Sequence, residues 1–115
     1  MRGPADAVQA QLAKLRTKYS LALPEKIAAI EAAVAPLFAG PWEESVCSTA
    51  YRQVHSLAGS SGTYGFPEIS SVARAAEATL KQCLDARRLL PKSEVDVLMA
   101  KLREMAADAA SRSSP

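Results

Sequence analysis

The chain has 115 residues, 49% of them hydrophobic and 23% charged, which is the composition of one soluble globular domain and no more. Fourteen Lys and Arg against twelve Asp and Glu leave a net charge of +2, and aromatics make up only 5%. That balance argues against a nucleic-acid surface or a polybasic membrane footprint, and two cysteines are too few for a disulfide framework. The segment from Met1 to Ala10 lacks the apolar run of a signal peptide. The uncharged stretch Ala32 to Trp42 is short and interrupted by Pro36, Gly40 and Pro41, so no membrane span is expected. These features together predict a cytoplasmic protein.

Alanine dominates the sequence and Val and Ile are sparse, which favours helix throughout. Proline and glycine divide the chain into five stretches, with Pro24, Pro41 and Pro67 in the positions of first-turn prolines. The first, about 5–19, carries Val8, Leu12, Leu15 and Tyr19 at helical spacing. The second runs from Pro24 to Phe38 with Ile27, Ile30, Val34, Leu37 and Phe38 on one face. The third starts near Trp42 and presents Val46, Ala50, Val54, Leu57 and Ser61. The fourth starts at Pro67 with Ile69, Val72, Ala76, Leu80 and Cys83. The fifth starts near Ser93, where Ser93-Glu94-Val95-Asp96 has the look of a capping box, and presents Val95, Leu98, Leu102 and Met105. Short connections make successive helices antiparallel. The expected fold is all-α: an up-and-down four-helix bundle over about 20–110, a short additional N-terminal helix over 5–19, and a frayed tail over 111–115. All of 1–115 forms one domain, expected to be a monomer.

One segment departs from generic helix. Gln53 to Pro67 contains no Asp, Glu, Lys or Arg, where composition alone would place about three. It holds the only histidine, His55, and three of the five glycines. Gly65, with Gly62 as a second candidate, ends the third helix. Gly59 lies inside it, where glycine costs about 1 kcal/mol relative to alanine. With Val54, Leu57 and Ser61 on the apolar face, His55 is expected to point outward. Its flanking outer strip is then Tyr51, Arg52, Ala58, Gly59 and Gly62, an open surface that a second protein can approach closely. A surface histidine with no chemical role fits the same pattern. One His and two Cys, at 47, 55 and 83, do not have zinc-ligand spacing, and no Gly-Lys-Ser or Gly-Lys-Thr follows the glycines. Cys47 and Cys83 stand equally far from Gly65 and read as two buried thiols. If the third and fourth helices fold back at Gly65, Arg74, Glu77, Ala78 and Lys81 form a polar strip level with His55. Arg52, Arg74 and Lys81 are then the candidate cations beside it. Glu77 stands four residues before Lys81, the spacing of a helical ion pair.

The run His55-Ser56-Leu57-Ala58-Gly59-Ser60-Ser61, followed by Gly65, Ile69 and Glu77, resembles the signature of histidine-containing phosphotransfer (HPt) domains. The upstream residues Leu15-Arg16, Tyr19 and Leu23-Pro24-Glu25-Lys26-Ile27 resemble the start of the first bundle helix in that family. The resemblance spans about 12–102. It implies that His55 accepts a phosphoryl group from a receiver-domain phospho-aspartate and passes it to another receiver. On this reading the protein is a carrier rather than an enzyme, with no cofactor or metal of its own and Mg²⁺ supplied by the partner. Its partners would be response-regulator receiver domains or a hybrid histidine kinase, with neither nucleic acid nor membrane. The resemblance implies a docking face formed by Tyr51, Ala58, Gly59, Gly62 and Tyr64. Two positions depart from the family pattern: Ala58 stands where many members have Lys, and Ala76 where Leu is usual. The missing lysine leaves open a non-phosphorylated helical adaptor. A phosphoacceptor module of a larger histidine kinase is the other alternative, against which the initial Met and polar tail favour a free-standing protein.

Overall fold

The computed structural model describes residues 3–113 except 90, and these form four α-helices and one 3₁₀ turn. Helix α1 spans Pro4–Val34 and passes into the 3₁₀ turn Ala35–Phe38; α2 spans Glu44–Thr63, α3 Pro67–Ala86 and α4 Lys92–Ser113. The helices pack in a ring, α1 on α2, α2 on α3, α3 on α4 and α4 back on α1. Hydrogen bonds fix the directions. Ser20 bonds to Ala109 while Glu31 pairs with Arg103, so α1 and α4 are antiparallel. Cys47 bonds to Leu80 and Ala58 to Ser70, so α2 and α3 are antiparallel as well. This is the expected up-and-down bundle.

The separate N-terminal helix is not present. Residues 5–19 and the stretch from Pro24 belong to one helix of 31 residues, with Pro24 inside it. Pro24 removes one backbone donor, but the chain keeps its helical path because the core face continues across it. Tyr19, Ser20, Leu23, Ile27, Ile30 and Val34 are all buried at the three- and four-residue spacing of one stripe. N-terminal to Tyr19 the apolar side chains leave the core: Val8, Leu12 and Leu15 are 56%, 52% and 39% exposed. At 1.5 Å per residue α1 is about 46 Å long, which accounts for much of the 62 Å long axis.

Two other boundaries differ from expectation. Glu43 is the residue that caps α2, so Trp42 and Pro41 precede the helix. Lys92 starts α4, which places Ser93 inside the helix, and the amide of Glu94 donates to the carbonyl of Pro91. The tail is ordered further than expected: α4 continues to Ser113, whose hydroxyl donates to Ser20 Oγ at 2.9 Å. The expected tail residues 114 and 115 lie outside the described residues. Gly65 closes the α2–α3 turn with φ of +85°, a conformation that disfavours any residue with a Cβ. Arg16 Nη2 donates to the Gly65 carbonyl at 3.2 Å, and its guanidinium lies over the Phe66 ring. The turn is thereby tied to α1. Cys47 and Cys83 are free and buried between α2 and α3. Among the described residues no helix is long and apolar enough to cross a membrane.

Candidate functional site at His55

Helix α2 has a buried face made by Cys47, Ala50, Val54, Leu57, Ala58 and Ser61. His55 follows Val54 and is turned off that face, leaving its side chain 64% exposed. The antiparallel packing of α3 brings Glu77 beside it. His55 Nδ1 and Glu77 Oε1 are 2.7 Å apart, with Glu77 only 19% exposed. An ionised carboxylate is acceptor-only, so the hydrogen in this bond belongs to Nδ1. In the neutral ring Nε2 then carries the lone pair, directed to solvent. A nucleophilic nitrogen is thus presented outward while its tautomer is set by a carboxylate from the neighbouring helix.

Tyr51 stands one turn before His55, with ring centroids 6.0 Å apart and planes 20° from parallel. Its hydroxyl donates to the same Glu77 Oε1 at 3.4 Å. Glu77 therefore does not pair with Lys81 as its spacing suggested. The Lys81 ammonium bonds to Asp85 at 2.8 Å, and that bond holds its pKa above the usual lysine value. Arg52 and Arg74 are exposed and have no ion-pair partner among the described residues.

The expected docking residues separate into different environments. Gly59 is exposed, and a Cβ built on it would meet nothing within 4 Å. Ala58, by contrast, is fully buried and cannot line a surface. It lies four residues after Val54 and one after Leu57, hence on the core face, and its carbonyl accepts a 2.7 Å hydrogen bond from Ser70 Oγ. Gly62 is exposed as expected, but a Cβ there would stand 3.3 Å from Ser70 Oγ. Tyr64 stacks on Tyr19 with centroids 4.6 Å apart. Nine residues after His55, it emerges about half a turn around α2, on the side away from the imidazole. The open surface next to His55 is therefore narrower than the sequence suggested, centred on Gly59 with Tyr51 as one wall.

Sequence reasoning missed Ser70, whose buried hydroxyl stitches α3 to α2 directly under this surface. A serine on an apolar helical face carries no pattern that distinguishes it from solvent-facing serines. The Tyr51 bond was missed for a different reason: cross-helix partners depend on a register that periodicity alone does not supply.

The family model described as "Hpt domain" matches residues 8–112. The chain is also similar to the chemotaxis protein CheA of Rhizobium meliloti (strain 1021), 30% identical over 84 residues. That alignment covers 73% of this chain but only 11% of the relative's length. No solved structure matches the chain significantly.

Proposed function

The chain belongs to the Hpt domain family, phosphotransfer modules of two-component signalling, and on that premise we propose that His55 is its phosphoacceptor in a relay between receiver domains. The observation that carries this reading is the 2.7 Å contact between His55 Nδ1 and Glu77 on a ring that is 64% exposed. Transfer from a receiver proceeds by attack of the Nε2 lone pair on phosphorus. The N–P bond forms as the P–O bond to the receiver's aspartate breaks, and that electron pair leaves on the aspartate carboxylate. The ring keeps its Nδ1 proton and gains positive charge, which the Glu77 carboxylate faces across 2.7 Å. Onward transfer reverses these steps at a second receiver's aspartate.

Little else is required of this chain, because phosphoryl transfer depends on alignment and charge neutralisation more than on covalent chemistry. We assign the neutralisation to Mg²⁺ on the receiver, assisted by Arg52 and Arg74, which no ion pair among the described residues engages. Lys81 is the weaker candidate because Asp85 holds it. The surface at Gly59 admits the receiver close to Nε2.

The likeness to CheA supports a second reading, in which the donor is ATP on a kinase domain and His55 is the acceptor module of that kinase. One experiment tests both. The protein is incubated with a phosphorylated receiver domain or with a histidine-kinase catalytic domain and labelled ATP. Acid-labile, base-stable label absent from His55→Gln is expected, and the productive donor selects the reading. Label retained in a folded His55→Gln variant, or no label from either donor, sinks the assignment. The variant itself should fold normally, because the side chain is mostly in water.

A further inference from the structure

The proposed attack requires Nε2 to hold its lone pair, and therefore requires Glu77 to stay where it keeps the proton on Nδ1. Glutamate has three rotatable side-chain bonds, and one hydrogen bond to a ring that is itself 64% exposed is a weak tether for it. Two further facts bear on that tether. The Tyr51 hydroxyl reaches the same oxygen, Glu77 Oε1, at 3.4 Å. The Tyr51 ring is half-buried, packs against the core and lies nearly parallel to His55 at 6.0 Å. Both aromatic rings project from α2 one turn apart, so the hydroxyl and Nδ1 approach the carboxylate from the same helix.

We propose that Tyr51 is a positioning residue for His55, anchoring the Glu77 carboxylate so that the imidazole stays in the tautomer with a free Nε2. This deepens the phosphoacceptor reading and rests on it. The sequence placed Tyr51 on the docking face as a contact for the partner; the structure assigns it a role within the chain. A carboxylate oxygen has lone pairs for both donors, so the tyrosine hydroxyl does not displace the imidazole from Oε1. Anchoring at a second point instead removes the rotamers in which the carboxylate swings into water, as a supporting shell does for a reacting side chain. Lys81 does not substitute for this anchor, because its ammonium is paired with Asp85.

Tyr51→Phe tests the proposal, since it deletes the hydroxyl and keeps the ring. Nitrogen-15 spectra of His55 in the unphosphorylated protein report the ratio of the two neutral tautomers. Transfer from a phosphorylated receiver domain reports the rate. In Tyr51→Phe the tautomer protonated on Nε2 should rise about two- to fivefold and transfer should slow by a similar factor, with the melting temperature held. An unchanged tautomer ratio overturns the proposal even where transfer slows, because the slowing then comes from a lost contact with the partner. A shifted ratio with an unchanged rate overturns it too, as an anchor without consequence. If the wild-type protein takes no phosphoryl group from any donor, the phosphoacceptor reading fails, and the tautomer ratio alone still decides whether Tyr51 anchors Glu77.

Discussion

Glu77 Oε1 lies 2.7 Å from His55 Nδ1, joining a carboxylate that is 19% exposed on α3 to an imidazole that is 64% exposed on α2. The arrangement puts the acid inside and the nucleophile outside. The bundle register holds the acid in place, and solvent access is kept for the ring nitrogen that has a lone pair.

Glu77→Gln tests how much this pairing contributes to transfer. Glutamine keeps the shape but removes the charge, and its amide can either accept from Nδ1 or donate to it. The loss of a charge-assisted bond, reduced by partial exposure, is worth about 1–2 kcal/mol. Transfer to His55 should therefore slow by about five- to thirtyfold, at nearly unchanged thermal stability. Wild-type rates in Glu77→Gln would show that the carboxylate is only a surface partner of the ring.

The two glycines that follow His55 within α2 should respond in opposite ways. Gly59 has open space where a Cβ would stand, so Gly59→Leu should gain up to about 1 kcal/mol in helix stability while obstructing the approach to Nε2. At Gly62 the new Cβ presses on Ser70 Oγ at 3.3 Å, and that hydroxyl is committed to the Ala58 carbonyl at 2.7 Å. Gly62→Leu should lose about 1 kcal/mol or more despite the better helix former. Paired thermal melts and transfer assays separate the two effects. A folded Gly59→Leu protein with normal transfer would remove close approach from the mechanism.

These contrasts mark what the sequence could and could not convey. Pro67, Gly65 and the apolar period placed the end of α2 and the start of α3 within two residues, because those signals act locally on the backbone. The outward direction of His55 followed from the same period. Ala58 was misplaced because alanine fits either face and carries no polarity to choose one; only its four-residue step from Val54 marked it as core. Gly59 and Gly62 look alike in sequence, and only the packing of Ser70 distinguishes them.

Ala58→Lys turns that misplacement into a measurement. On an exposed strip, restoring the lysine that many family members have would leave stability unchanged. Ala58 is fully buried, so the longer side chain must push between α2 and α3 to bring its ammonium to water. Overpacking of this kind costs about 1–3 kcal/mol, and the melting temperature should fall accordingly. A variant as stable as the wild type would mean that the helix pair opens at this level without penalty.

Burial holds the Cys47 thiol above the ordinary cysteine pKa, and this has a direction in pH. The unfolded chain releases the proton from about pH 8.5 upward, whereas the folded chain keeps it. The unfolded state then binds fewer protons, so stability must fall as pH rises through that window toward the folded pKa. Denaturant unfolding at several pH values between about 8 and 10 should show this decline, and Cys47→Ala should flatten it whatever its own stability. An identical slope in the variant would mean that Cys47 ionises alike in both states.

Pro24 offers the sharpest check on the architecture, because the two possible arrangements give opposite signs. At the first position of a separate helix, proline is favourable: its missing amide has no partner to lose and its φ is already helical. Replacement by alanine there would leave stability the same or lower it. Inside a continuous helix the missing amide leaves the Ser20 carbonyl without its usual partner, and the ring crowds that turn. The observed α1 runs unbroken from Pro4 to Val34, with Leu23 and Ile27 buried on either side of the proline. Pro24 is itself exposed, so its replacement opens no cavity. Alanine in a helix interior is favoured over proline by about 3 kcal/mol, offset by about 1 kcal/mol because proline stiffens the unfolded chain. Pro24→Ala should therefore stabilise the protein by about 2 kcal/mol and raise its melting temperature by several degrees. A fall in melting temperature would instead point to a break in the chain at Pro24, with the segment before Tyr19 as a helix of its own.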